Sequence, residues 1–285
     1  MTCEAKIAPE IEQAEDICSL SLVRRMAALL DLAPDQYRTG DPLPRGWHVI
    51  LFNPPTVQSL LRHDGAASLG FRMPDLGLPR LMMGGRKMTF QGDIAIGAPL
   101  IRRSSLGPVV RKTGRTGPFA LVEVEHQLVI ADSGQTVVVE TSSYVLRPEE
   151  ERTGQADHPP LIQETLVAPD LPEGALARTF VPDETMLFRY SAITDNPHRI
   201  HYDFPYATDV EGYPALVVNG SLPQMLLLEM FRDYAGREPE GYESRNRAPI
   251  FCGSPVTLSV CRQGERYMLA AHKNDGQLAI EAEAW

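Results

Sequence analysis

Cysteine is scarce and scattered. Four occur in 285 residues, Cys3, Cys18, Cys252 and Cys261, and none forms a C-x-x-C pair. A thiolate zinc site is therefore not expected. No apolar run approaches the ~18 residues of a membrane-spanning helix. Met1 to Pro9 has no apolar core of the kind a secretory leader carries. These absences point to a reduced, cytoplasmic protein whose thiols are core or surface residues. Positive charge is also in deficit, with 27 Lys and Arg against 37 Asp and Glu and a net charge of −10. That disfavours nucleic acid or an anionic membrane as the main partner. A phosphorylated ligand needs only a local basic patch and stays open.

What is present reads as an ordinary globule, 43% hydrophobic and 22% charged, long enough for one large domain or two of common size. Residues 14–32 carry a helical apolar face from Cys18 to Leu32. Residues 36–85 are rich in Pro and Gly and predict ordered loop. His48, next to Trp47, reads as packed. From 86 to 147 the period becomes two. Lys87 to Phe90, Gly97 to Ser105, Ala120 to Ile130 and Thr136 to Leu146 predict strands of an antiparallel sheet. Within them Arg111-Lys112-Thr-Gly-Arg115-Thr-Gly-Pro is basic and glycine-bearing. It reads either as a solvated hairpin end or as a phosphate contact. Residues 148–172 are polar and proline-marked, a linker by composition. The pattern then restarts. Ala175 to Pro182 is extended, and Ser254 to Cys261, Glu265 to His272 and Gln277 to Trp285 predict a second antiparallel set. No sequence repeat is visible; the similarity of the halves is one of pattern. The expected fold class is α+β, with domains at 1–147 and 173–285, each a sheet wrapped on a helix.

The stretch from Phe188 to Tyr234 carries the chemistry. His198 and His201 share one polar segment with Asp195, Asp203 and Asp209. A strong helix start follows: Ser221 with Gln224 three residues on is a capping-box signature, and Pro223 suits the first turn. Leu222 to Tyr234 is apolar nearly all round, so the helix is expected to be buried, with Gly236 as its stop. The free amides at its start, near Gly220, favour a developing oxyanion.

These residues resemble a known family. Tyr190-Ser-x-x-Thr194, Asn196-Pro, His201-x-Asp203, Pro205-Tyr-Ala and Asn219-Gly220 before a buried helix are similar to the MaoC-like (R)-specific enoyl-CoA hydratases. Pro44-x-Gly-Trp-His48, Leu78-Pro, Gly84-Gly-Arg86, Lys112-Thr-Gly-Arg115-x-Gly-Pro and His198-Arg-Ile-His-Tyr-Asp203 resemble its itaconyl-CoA and mesaconyl-C4-CoA hydratase branch, which overlaps in pattern with mitochondrial-type hydroxyacyl-thioester dehydratases. The resemblance spans about residues 44–285. It implies a double hotdog fold, a CoA thioester as substrate and small-molecule partner, no metal and no redox cofactor; a homo-oligomer is compatible with it.

Carried over residue by residue, His201 is the general base and the Gly220 amide the carbonyl clamp. The family's Asp five residues before the His is Asn196 here, with Asp195 one residue further away, and the family's His before the helix glycine is Asn219. His201 is therefore expected to activate water, with Asn196 and Asp195 positioning it. A substrate with a free carboxylate calls for an arginine, and Arg86, Arg189 and Arg199 are the candidates. Arg111, Lys112 and Arg115 are the candidates for the CoA phosphates, and His198 and Asn219 are further candidates for binding substrate. The expected reaction is hydration of a short branched dicarboxylic enoyl-CoA, itaconyl-CoA to citramalyl-CoA in itaconate degradation. Mesaconyl-C4-CoA hydration, 3-hydroxyacyl-thioester dehydration, acyl-CoA hydrolysis and non-catalytic acyl-CoA binding are the alternatives.

Overall fold

The computed structural model describes residues 11–67, 69, 71–114, 117–148 and 167–285. Arg115, Cys3 and most of the expected linker lie outside the described residues. All ten strands join one antiparallel sheet: β1 (Glu12–Ile17), β2 (Arg80–Phe90), β3 (Pro99–Gly114), β4 (Gly117–Ile130), β5 (Thr136–Arg147), β6 (Leu176–Phe180), β7 (Gly241–Asn246), β8 (Val256–Gln263), β9 (Arg266–His272) and β10 (Leu278–Ala284). Their order is β1-β3-β4-β5-β2-β7-β10-β9-β8-β6. Read from either edge inward the order is the same: first, third, fourth, fifth, second. The chain has thus built one topology twice and joined the copies through β2 and β7, in register from Gly85↔Arg245 to Thr89↔Gly241. This is the double hotdog fold that the resemblance implies.

The connection from the first strand to the second of each half departs from that symmetry. In the second half, residues 181–240 contain α2 (Glu184–Ile193) and α3 (Ser221–Ala235). Leu222, Met225, Leu227, Leu228, Met230 and Phe231 of α3 are at most 2% exposed. Burying such side chains contributes roughly 1.5–3 kcal/mol each. They face Val256, Leu258 and Val260 of β8 and Leu269 and Ala271 of β9, all buried in the same core. In the first half, the described residues of 18–79 contain one α-helix, α1 (Leu20–Leu29), followed by short 3₁₀ turns. Prolines 34, 42, 44, 54, 55, 74 and 79 account for this, since each removes a donor and disfavours helix in the residue before it.

Four local expectations are corrected. Residues 12–17, partly read as helix, are strand β1, paired to β3 from Glu12↔Ser104 to Ile17↔Pro99; alternating burial outweighs the helical spacing there. Strand β7 was not expected, because Gly-Tyr-Glu-Ser-Arg-Asn is polar; it is central yet held by backbone pairing on both sides. Phe188 to Ile193, the opening of the stretch read as carrying the chemistry and not expected to be helical, are the last turns of α2, whose start is capped by Asp183 accepting from the Met186 amide at 2.7 Å. The capping box at Ser221 does not form: Gly220 is the cap residue without a side-chain bond, and Gln224 Nε2 donates to Asn246 Oδ1 at 3.0 Å instead. Helix α3 does stop at Gly236.

Candidate active site

A cavity of about 980 Å³ opens against the inner face of the first half's sheet. Its walls come from both halves. Leu69, Phe71, Met73, Leu76 and Leu78 of the proline-rich connection form an apolar side, and Ile200, Tyr206 and Tyr213 form another. Between them lies a third wall, made by the loop after α2 and the start of α3.

Local chain geometry builds that loop. Thr194 Oγ1 donates to the Tyr190 carbonyl at 2.9 Å. Asp195 then takes a left-handed conformation with φ 44°, one of the few side chains that tolerate it. The chain reverses, and the Asn196 amide closes on the Ser191 carbonyl at 2.9 Å. Asn196 Nδ2 donates to Asn219 Oδ1 at 2.9 Å, and Asn219 Nδ2 donates to Ser191 Oγ at 3.2 Å. The His198 amide donates to Asn196 Oδ1 at 3.2 Å. Asn196 is thus a fixed amide relay joining α2, the histidine loop and the start of α3. Asp195, Asn196, His198, Asn219 and Ser221 all line the cavity.

His201 is buried one layer back. Its Nδ1 is 2.7 Å from the Val217 carbonyl. That bond places the proton on Nδ1 and leaves Nε2 as an acceptor, with no partner among the described residues. Burial pushes its pKa down to about 4, against the Val217 bond. The ring stands edge-on to His198, with centroids 5.7 Å apart. Neither His201 nor Gly220 is itself in the cavity wall. The cavity touches their neighbours instead, Asn219 and Ser221 on either side of Gly220. Gly220 is exposed, and Asn219 is buried.

The floor of the cavity is a polar patch on the first half's sheet that sequence reasoning did not assemble. Across the strands, Ser104 pairs with His126, His126 with Glu140, and Ser142 with Arg86. Glu140 accepts from Ser142 Oγ at 2.7 Å and lies 2.9 Å from His48 Nε2. Arg86 Nε is 3.7 Å from Glu140 Oε1, and its side chain is 9% exposed. Burial opposes the charge on Arg86, and Glu140 together with Tyr144, Tyr190 and Tyr242 more than offsets it, so its pKa rises above the ordinary value. Burial likewise opposes the Glu140 charge, and Arg86 and His48 hold its pKa well below the usual range. Arg86 Nε has no hydrogen-bond partner. Its position follows from Gly85: the register with β5 shifts between Met83 and Gly85, and a Cβ on Gly85 would sit 2.2 Å from the Ser244 carbonyl. Only glycine permits that approach, and the bulge turns the next side chain into the cavity.

The other arginine candidates lie elsewhere. Arg199 pairs with Asp203 at 2.8 Å and stacks on Tyr206, and Arg189 lines an outer groove between α1 and α2. Arg111 and Lys112 are exposed at the far end of the β3–β4 hairpin, where Arg111 donates to the Leu76 carbonyl at 3.2 Å. They do not line the cavity; Arg62, His63 and Arg80 do.

Comparison with known proteins gives this geometry a context. The family model of hydroxyacyl-thioester dehydratase type 2 matches residues 46–252. The chain belongs to the hydroxyacyl-thioester dehydratase type 2 family. It is 35% identical over 277 residues to mesaconyl-C(4)-CoA hydratase of Chloroflexus aurantiacus, covering 95% of this chain and 93% of that one. Among solved structures it is similar to HtdX of Mycobacterium tuberculosis, with TM-score 0.65 at 17% identity over 96% of this chain and 99% of that one. A second Mycobacterium tuberculosis protein with a double hotdog fold aligns with TM-score 0.59 at 12% identity, over 97% and 94%. This type 2 family member is therefore a hydratase or dehydratase of acyl thioesters. No helix among its described residues is long and apolar enough to cross a membrane.

Proposed function

We propose that the protein hydrates a short branched dicarboxylic enoyl-CoA, itaconyl-CoA to citramalyl-CoA, or runs the reverse dehydration. The observation that carries this reading is Arg86: a guanidinium paired with Glu140 that lines the cavity. A charge-assisted hydrogen bond from its cavity-facing end to a carboxylate contributes about 1.5–3 kcal/mol, which an apolar acyl chain cannot provide. The mesaconyl-C4-CoA isomer is a second reading, favoured by the 35% identical relative; it too presents a free carboxylate.

In this reading His201 Nε2 takes a proton from water as the water oxygen bonds to the β-carbon. The π pair moves to the α-carbon and thioester oxygen, where the Gly220 amide and the α3 N-terminus stabilise the charge. A proton is then delivered to the α-carbon, so one water is added and none of the protein's protons is lost. Asn196 and Asp195 hold the water. The low His201 pKa keeps the ring neutral, the form a base requires. No metal or redox cofactor enters this scheme.

The test is a panel of CoA thioesters, itaconyl, mesaconyl-C4, crotonyl and citramalyl, followed by absorbance of the enoyl bond. Preferred turnover of a dicarboxylic member supports the proposal. Preferred turnover of crotonyl-CoA, or hydrolysis of a saturated acyl-CoA instead, contradicts it.

A further inference from the structure

The second half lacks the carboxylate its own loop would be expected to hold against the histidines. Asn196 occupies that place as an amide. Asp203 is committed to Arg199 and to the Tyr206 amide. Asp195 is exposed. A carboxylate arrives from the first half instead. Asp64 lies in the cavity wall at 7% exposure, with Oδ2 3.9 Å from His198 Nε2. It is held on both sides: Oδ1 accepts from the Ala66 amide at 2.9 Å, and Oδ2 meets Arg62 Nη2 at 3.0 Å.

The backbone is shaped to bring it there. The Arg199 amide donates to the Asp64 carbonyl at 2.8 Å. Gly65, at φ +80°, passes so close that a Cβ would lie 2.3 Å from the Pro197 carbonyl. A left-handed residue without a side chain is what this crossing requires. The contact therefore joins residues 62–66 of one half to residues 197–199 of the other, at the catalytic loop.

We infer that Asp64 is the carboxylate of the proton-transfer site, a positioning residue that acts through His198. The inference rests on the hydration reading above. In it the proton that His201 takes from water is exchanged through cavity water to His198, and His198 delivers it to the α-carbon. Asp64 faces His198 while it is an imidazolium and orients its ring towards the cavity. At 3.9 Å the pair is a charge contact longer than a hydrogen bond. The other charged or titratable groups facing His198 are Arg62 and His63 from the first half and Glu211 and His201 from the second. Burial lowers the His198 pKa, and Asp64 is the first opposing influence.

The experiment is Asp64→Asn, which keeps the shape and the acceptor for the Ala66 amide. The full-length variant and wild type are compared in kcat and KM against pH, and in the NMR titration of the His198 ring. The expected result is a kcat lower by about 10- to 100-fold, a KM within about threefold, an acid limb moved to lower pH, and a lower His198 pKa. A kcat profile superimposing on wild type, with the His198 titration unchanged, overturns the inference even if the melting temperature falls. If wild type hydrates no enoyl-CoA, the hydration reading fails on its own, and the His198 titration still decides whether Asp64 governs that ring. If Asp64→Asn does not fold, Asp64→Glu is expected to lower kcat with the acid limb in place; wild-type kcat in that variant overturns the inference.

Discussion

The two halves share a strand order and differ in what lies on the inner face of the sheet. In the second half that face is apolar, with Val256, Leu258, Val260, Leu269, Ala271 and Ile280 buried in the main core, and the 15-residue helix α3 seals it. In the first half the same face carries Ser104, His126, Glu140, Ser142 and Arg86, and a cavity stands over it. The connections that follow the first strands, residues 18–79 and 181–240, are nearly equal in length. One folds into a buried helix whose start, at Asn219 and Ser221, lines the cavity. The other is broken by proline and stays at the rim as a wall. On the proposed function, the duplicated topology is divided: acyl recognition falls to the first half, and the base and carbonyl clamp to the second, with Asp64 crossing from the first. Buried polar groups without partners cost about 1–3 kcal/mol each, so a polar inner face is stable only where its members bond to one another or to a ligand.

The division can be attacked from the chemical side first. His201→Ala should lower kcat by about two to four orders of magnitude while thermal unfolding stays cooperative; turnover near wild type would place the base elsewhere. The seam between the halves comes next. Gly65→Ala must place a side chain against the Pro197 carbonyl and strain a left-handed residue, a cost of about 2–4 kcal/mol. The expected reading is a melting temperature lower by roughly 5–10 °C and loss of activity beyond what the unfolded fraction explains. An unchanged melting temperature would mean that the crossing is loose.

The pH dependence of stability samples both halves at once. Burial holds His126 in the first half and His201 in the second at about 4, below the ordinary 6.5. The unfolded chain takes up these protons more readily, so the contribution is intact above about pH 6.5 and is lost as pH falls towards 4, by about 3 kcal/mol per ring at full loss. Urea midpoints measured from pH 7 to pH 4 should fall accordingly, and His126→Asn should flatten the fall. A midpoint independent of pH would mean that neither ring is sheltered from water.

Much of this was legible in the chain. Strand alternation located β3, β4, β5, β8, β9 and β10, and the apolar run after Asn219-Gly220 located α3, because period and burial are local consequences of sequence. The polar floor was legible too, though not assembled: Glu140 and Ser142 interrupt the inward positions of an otherwise apolar β5, and His126 does so in β4. Their meeting with Arg86 depends on strand register, which sequence does not display. Asp64 was hidden for a different reason. It sits in a proline-rich segment with no periodicity, and it meets His198 only through a contact between residues more than 130 positions apart. Strand β7 escaped because a polar strand between two others is held by backbone bonds that leave no mark on side-chain pattern.

The sharpest measurement of the division is the ratio of kcat/KM for itaconyl-CoA over crotonyl-CoA in wild type and in Arg86→Lys. Lysine keeps the charge against Glu140 but loses the planar fork that pairs a carboxylate. The account predicts that the wild-type ratio strongly favours itaconyl-CoA, and that the substitution lowers it by about 10- to 100-fold while crotonyl-CoA turnover is unchanged. An unchanged ratio, or an equal loss on both substrates, would contradict the assignment of acyl recognition to the first half.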